Sequence, residues 1–153
     1  MTDSRSRLQA CSENVAPASP QQPPSIGYTL LVDDVRSFKD GRPAEVARTA
    51  ARAIEILRAR RDERVAQLWL DHDLAGRNGT DVTVMPVIEE IAVAAGRGEP
   101  YDIAVVYVHT SNPAGAVAIR APLERVGICV VRWYNMQIFV NRRTEFDSMG
   151  EGS

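Results

Sequence analysis

Four short apolar runs, Tyr28–Val32, Leu68–Leu70 with its flanks, Ile103–Val108 and Ile128–Val131, are continuous instead of alternating with polar residues. Strands of that kind are buried on both faces, which points to a parallel sheet with packed layers over it. Parallel neighbours need crossover connections, and stretches of helical periodicity lie between the runs. Thr49 is placed to cap a helix from Ala50 to about Arg61, with Ala50, Ala53, Ile54 and Leu57 at helical spacing. A second helix is predicted over much of Asp81–Ala95, ending at Gly96, and a third over Pro113–Val126, ending at Gly127. Pro86 and Pro122 fall inside these two patterns, where each removes a backbone donor and kinks the helix or delays its start. A fifth run, Glu45–Arg48, is short and polar enough for an edge strand. The order β-β-α-β-α-β-α-β predicts a small doubly wound α/β fold.

The chain has 153 residues, enough for one domain. No run of about 18 apolar residues exists to span a bilayer. A net charge of −2 and a pI of about 5.7 exclude a surface that coats DNA or another polyanion, though not a local basic pocket. Residues 1–25 hold four of the nine prolines and five serines, and are expected to form a disordered leader before a domain over 26–143 and a flexible tail over 144–153. Cys11 and Cys129 are too few and too far apart in sequence to read as a disulfide framework or a zinc site, and Cys129 reads as a buried inert thiol. The first residues lack the apolar segment of a secretory signal, so a cytoplasmic location and no membrane partner are expected. Oligomeric state has no signal here.

In open parallel sheets, ligands bind beyond the carboxyl ends of the strands. Those positions are chemically loaded: Asp33-Asp34-Val35-Arg36 after the first run, Asp71-His72-Asp73-Leu74 after Leu70, His109-Thr110-Ser111-Asn112 after Val108, and Arg132-Trp133 at the last. Both histidines of the chain fall here. Each residue alone reads equally well as a solvated loop or capping residue, Asp73 and Asn112 above all, and Arg36 as the partner of a neighbouring acid. Together, carboxylates from two central strands meet at one edge, and two unit charges about 6 Å apart at an effective dielectric of about 20 repel by roughly 3 kcal/mol. A cation relieves that repulsion. Carboxylate oxygens without a thiolate favour Mg²⁺ or Mn²⁺, while two histidines keep zinc open. The alternative to a metal is a carboxyl group whose pKa is raised so that it donates a proton.

The strings LVDDVR, ARTAARAI, WLDHDLAGRNGTDV and VHTSNPAGA resemble the cyclic-phosphate processing receiver domain, a divergent relative of response-regulator receivers, over about residues 28–133. A lone DD or DxD is weak, but DD, DHDLxxxxG and VHTSNPxG in that order is specific. The resemblance implies a flavodoxin-like sheet of order 2-1-3-4-5 with helices on both faces, shortened by loss of the helix between strands one and two. The Val35–Ala44 connection is indeed too rich in Gly, Pro and charge to be that helix. It further implies that Asp34 and Asp71 hold Mg²⁺ or Mn²⁺, here with Asp73 as a third candidate ligand, that Asp33 assists, and that Thr110 contacts a phosphoryl oxygen.

Two departures from receivers stand out. The stretch VVRWYN offers Arg132 where receivers place a lysine, and Lys39 is the only lysine of the chain. His72 and His109 are additions beside Asp71, and imidazoles suit general acid or base work near neutral pH. The reading is therefore metal-dependent processing, by hydrolysis, of cyclic or terminal phosphates on a small nucleotide or an RNA end. Asp33, Asp71, His72 and His109 are the catalytic candidates, and Arg36, Thr110, Ser111, Asn112 and Arg132 the phosphate-binding ones. One rival is a non-enzymatic receiver-like module that accepts phosphate on Asp71. Another is a haloacid-dehalogenase phosphatase, suggested by Asp-x-Asp before Gly79-Thr80 but opposed by an acidic pair lying upstream.

Overall fold

A computed structural model describes residues 26–74 and 82–141. The expected leader, the tail over 144–153 and Gly79 lie outside the described residues. The elements are β1 (Tyr28–Val32), β2 (Arg36–Phe38), β3 (Glu45–Ala47), α1 (Ala50–Ala59), β4 (Val65–Leu70), α2 (Met85–Gly96), β5 (Val106–Val108), α3 (Pro113–Arg125), β6 (Val130–Arg132) and β7 (Phe139–Asn141).

Five parallel strands form one sheet in the order β3-β1-β4-β5-β6, which is 2-1-3-4-5 when only those strands are counted. The receiver-like α/β architecture predicted from the sequence is the one observed. All of β1 and β4 is buried, as their unbroken apolar runs require. Strand β5 is shorter than predicted, because Ile103 makes only an isolated bridge to Val65 before the ladder starts at Val106.

Helix α1 starts where Thr49 Oγ1 accepts the amide of Arg52. Pro86 lies in the first turn of α2, where a missing N–H costs nothing, so the proline delays the helix without kinking it. Asn112 caps α3 by accepting the Gly115 amide, and Pro113 opens the helix. Pro122 stands inside α3, which runs on to Arg125.

Among the described residues, the three helices share one face of the sheet. Buried residues of α1, α2 and α3 all pack with Leu30, Val32, Leu68, Leu70, Val106 and Val108 on one side of the sheet. The opposite side presents Leu31, Trp69, Tyr107, Cys129 and Val131, and among the described residues its cover is Phe38 of β2, Phe139 of β7 and the 3₁₀ turn Met136–Ile138. Strands β2 and β7 pair antiparallel, Phe38 opposite Phe139, so a ribbon stands on the face left bare by the missing helix. Aromatic rings fill the space that a helix would occupy: Trp69 stacks on Tyr107 at 4.4 Å, and Phe38, Trp133 and Phe139 meet the Trp69 ring edge-on. Cys129 lies in this layer and is disulfide-bonded, so it is not the inert thiol expected from the sequence. No helix among the described residues is long and apolar enough to cross a membrane.

Candidate active site

The register of the sheet builds the site. Val32 pairs with Leu70 and Leu70 with Val108, so β1, β4 and β5 end level with one another. The ladder runs one step further, the amide of Asp71 donating to Val32 O at 3.2 Å and that of His109 to Leu70 O at 3.0 Å. Asp33, Asp71 and His109 therefore stand side by side, each one residue beyond its strand.

All three are buried, and one potential ligand atom from each lies within 4.8 Å of the others. Asp33 Oδ2 lies 3.0 Å from His109 Nε2, while its Oδ1 accepts the amides of Val35 and Arg36, both at 2.9 Å. Burial pushes the Asp33 carboxyl up, but the His109 contact and those two amides outweigh it and lower its pKa to about 2. Asp71 moves the opposite way. Burial raises its pKa, and the nearby Asp33 charge adds to the rise against His109, Arg36 and a hydrogen bond from Thr110. Two adjacent carboxylates are thus driven apart in acidity, an arrangement common where one site must keep one acid ionised and adjust the other.

Arg36 bridges the pair, its Nη1 lying 3.2 Å from Asp33 Oδ2 and 3.4 Å from Asp71 Oδ2. His109 is fully buried under Phe139, whose ring centroid is 4.7 Å away, and its Nδ1 has no hydrogen-bond partner among the described residues. A buried imidazole nitrogen without a partner is costly unless something else occupies it.

A second group lies beside the trio. His72 Nδ1 is 2.9 Å from Asp73 Oδ1, and Asn112 Nδ2 donates to Asp73 Oδ2 at 3.3 Å. The His72 contact holds the Asp73 carboxyl below its ordinary value. The imidazole of His72 sits over the first turn of α3, where a Cβ on Gly115 would come within 2.5 Å of its Cγ. Beside it, Leu74 N donates to Val82 O and Val84 N donates to His72 O.

Of the other candidates, Asp34 is half-buried on the turn after β1 and is not a member of the trio. Thr110 is buried and Ser111 exposed. Arg132 directs Nη2 to the carbonyl of Thr110 at 2.7 Å, with its guanidinium 5.0 Å from the centroid of the Tyr134 ring.

Sequence reasoning missed Arg48. Its guanidinium donates to the carbonyls of Asp33 and Arg36 and to Ser37 Oγ, tying the β1–β2 turn to the end of edge strand β3. Nothing in the string ARTAARAI marks it, because two of its partners are main-chain oxygens. A cavity of about 270 Å³ lined by Ile91, Tyr101, Ile103, Val126 and Ile128 lies at the other end of the strands and contains none of these groups.

The family model for the cyclic-phosphate processing receiver domain matches residues 28–125. The chain belongs to that family. The match takes in the whole Asp33–Asp71–His109 trio and the His72–Asp73–Asn112 group, while β6 with Arg132 and the ribbon strand β7 lie beyond it. Neither the curated proteins nor the solved structures provide a match to the chain.

Proposed function

We propose that this cyclic-phosphate processing receiver domain is a divalent-metal-dependent phosphoesterase acting on cyclic or terminal phosphates of nucleotides or RNA ends. The observation that carries the reading is the buried trio Asp33, Asp71 and His109, with ligand atoms within 4.8 Å of one another at the carboxyl edge of a parallel sheet. The donor set suits a cation: two carboxylates supply hard oxygen, and one imidazole, with an orphaned buried nitrogen, favours Mn²⁺ over Mg²⁺. Asp33, Asp71 and His109 would hold it, with Asp34 next in the chain. When bound, such an ion polarises a phosphate oxygen and acidifies water.

The remaining residues divide the work by position. Asp73 fixes His72 through Nδ1, which leaves Nε2 as the nitrogen that takes a proton from water or returns one to the leaving 2′- or 3′-oxygen. His109, wholly buried and engaged with Asp33, is suited to holding a ligand in place, not to shuttling protons. Ser111 and the Ala114 amide in the first turn of α3 are placed to donate to phosphate oxygens where the helix dipole favours an anion, the Gly115 amide being held by Asn112 and the Thr110 hydroxyl by Asp71. Phe139 and Trp69 keep water from the imidazole of His109.

The phospho-accepting alternative draws on the hydrogen bond between Thr110 and Asp71. Against it, Arg132 spends its guanidinium on the Thr110 carbonyl, where a receiver would aim a lysine at the phosphoryl group. The test is ³¹P NMR of the full chain with Mn²⁺ or Mg²⁺ and a panel of 2′,3′-cyclic nucleotides and RNA cyclic-phosphate ends, beside Asp71→Asn. Metal-dependent ring opening that disappears in the variant is the expected result. No turnover across the panel, with stable acid-labile phosphorylation of Asp71 by a small phosphodonor, would favour the signalling module.

A further inference from the structure

One guanidinium nitrogen, Nη1 of Arg36, sits within 3.4 Å of both carboxylates proposed above to share a cation. Asp33 is wholly buried and the Asp71 side chain 12% exposed, but that of Arg36 is 36% exposed and opens to solvent. Its main chain is held separately, the Arg36 amide donating to Asp33 Oδ1 and the Arg36 carbonyl accepting from Arg48. The side chain can therefore swing while the turn that carries Asp33 stays fixed. A guanidinium and a divalent ion cannot both lie between the same two carboxylates, because their like charges repel at such separations. Once displaced, the guanidinium remains tethered at the mouth of the site, and its planar fork matches two unesterified phosphate oxygens.

We infer that Arg36 exchanges partners: it neutralises Asp33 and Asp71 in the empty site, then yields them to the divalent cation and binds the phosphate of the incoming ligand. This rests on the phosphoesterase reading and adds a specificity rule to it. The cation alone must compete with Arg36 and binds weakly. A cation arriving with a phosphate-bearing ligand gives Arg36 a new partner, so each tightens the other. Anions without a pair of free oxygens gain nothing from the exchange.

The test is Mn²⁺ binding to the full chain, read from the EPR signal of free Mn²⁺, with and without inorganic phosphate. Wild type is compared with Arg36→Gln and with Lys39→Gln, a nearby exposed charge. Without phosphate, Arg36→Gln is expected to bind Mn²⁺ about tenfold more tightly than wild type, and Lys39→Gln equally. Phosphate should tighten the wild type by about tenfold and Arg36→Gln by less than about twofold. Equal or weaker Mn²⁺ binding by Arg36→Gln, or an undiminished phosphate effect, overturns the exchange. Should Arg36→Gln fail to fold, Arg36→Lys, which keeps the charge but not the fork, must lose most of the phosphate effect or the inference falls. Absence of Mn²⁺ binding in every protein would instead remove the cation site itself, and the inference with it.

Discussion

Nε2 of His109 lies 3.0 Å from Oδ2 of Asp33 across a sequence separation of 76 residues, and neither side chain is exposed to solvent. Removing one member of a buried pair strands the other, and such losses run to about 3 kcal/mol or more. His109→Leu is therefore expected to lower unfolding stability in urea by about 3 kcal/mol. Asp33→Asn should cost less, because the amide oxygen still accepts the amides of Val35 and Arg36.

Gly115→Ala separates the chemistry from the fold. Alanine improves helix propensity by about 1 kcal/mol, which offsets part of the clash with the His72 ring. The added methyl nevertheless starts 2.5 Å from His72 Cγ and 2.9 Å from its Cβ, so the imidazole must leave its place. The expectation is a circular-dichroism spectrum like that of wild type, a shifted His72 ring resonance and at least a roughly hundredfold loss of turnover, as misplacement by about 1 Å produces.

Arg48→Lys tests whether the turn carrying Asp33 and Arg36 must be braced. A lysine cannot reproduce a fork that reaches two carbonyls and the Ser37 hydroxyl. Stability should fall by about 1–2 kcal/mol in denaturant melts, with a larger proportional loss in turnover than in stability.

Acid should weaken the packing of α1 on α2 through Glu90. The hydrogen bonds from Arg58 and the Tyr101 hydroxyl lower its pKa from 4.5 to about 2 against the opposing effect of burial. A depressed carboxyl pKa contributes stability that is complete above the unfolded value near 4.5 and lost as the pH falls through about 2. Thermal melts of Glu90→Gln should therefore lie below wild type at neutral pH and converge with it as the pH approaches 2.

Much of the geometry of this candidate site is legible in the sequence, for a particular reason. Three apolar runs each stop immediately before Asp33, Asp71 and His109, so a parallel sheet in level register had to bring those side chains to one edge. The order of the five strands followed from the family resemblance. The ribbon did not, because β2 and β7 are three residues each and pair residues 36–38 with 139–141, a contact with no local signal. The apolar Ile138–Val140 stretch suits packing or an interface alike on its sequence alone, and the structure buries Phe139 against Trp69 and His109. The same ribbon explains why the described helices lie on one face only. The contact between Gly115 and His72 has no local signal either, since the ring that needs the missing Cβ comes from a segment more than forty positions earlier in the chain.

The most direct measurement on the central claim is a crystal structure from Mn²⁺-soaked crystals, with the ion located by its anomalous scattering. The account predicts one strong peak within ligand distance of Asp33, Asp71 and His109, with the Arg36 guanidinium moved off Asp71. A peak elsewhere, or no peak with Arg36 still bridging both carboxylates, would contradict it.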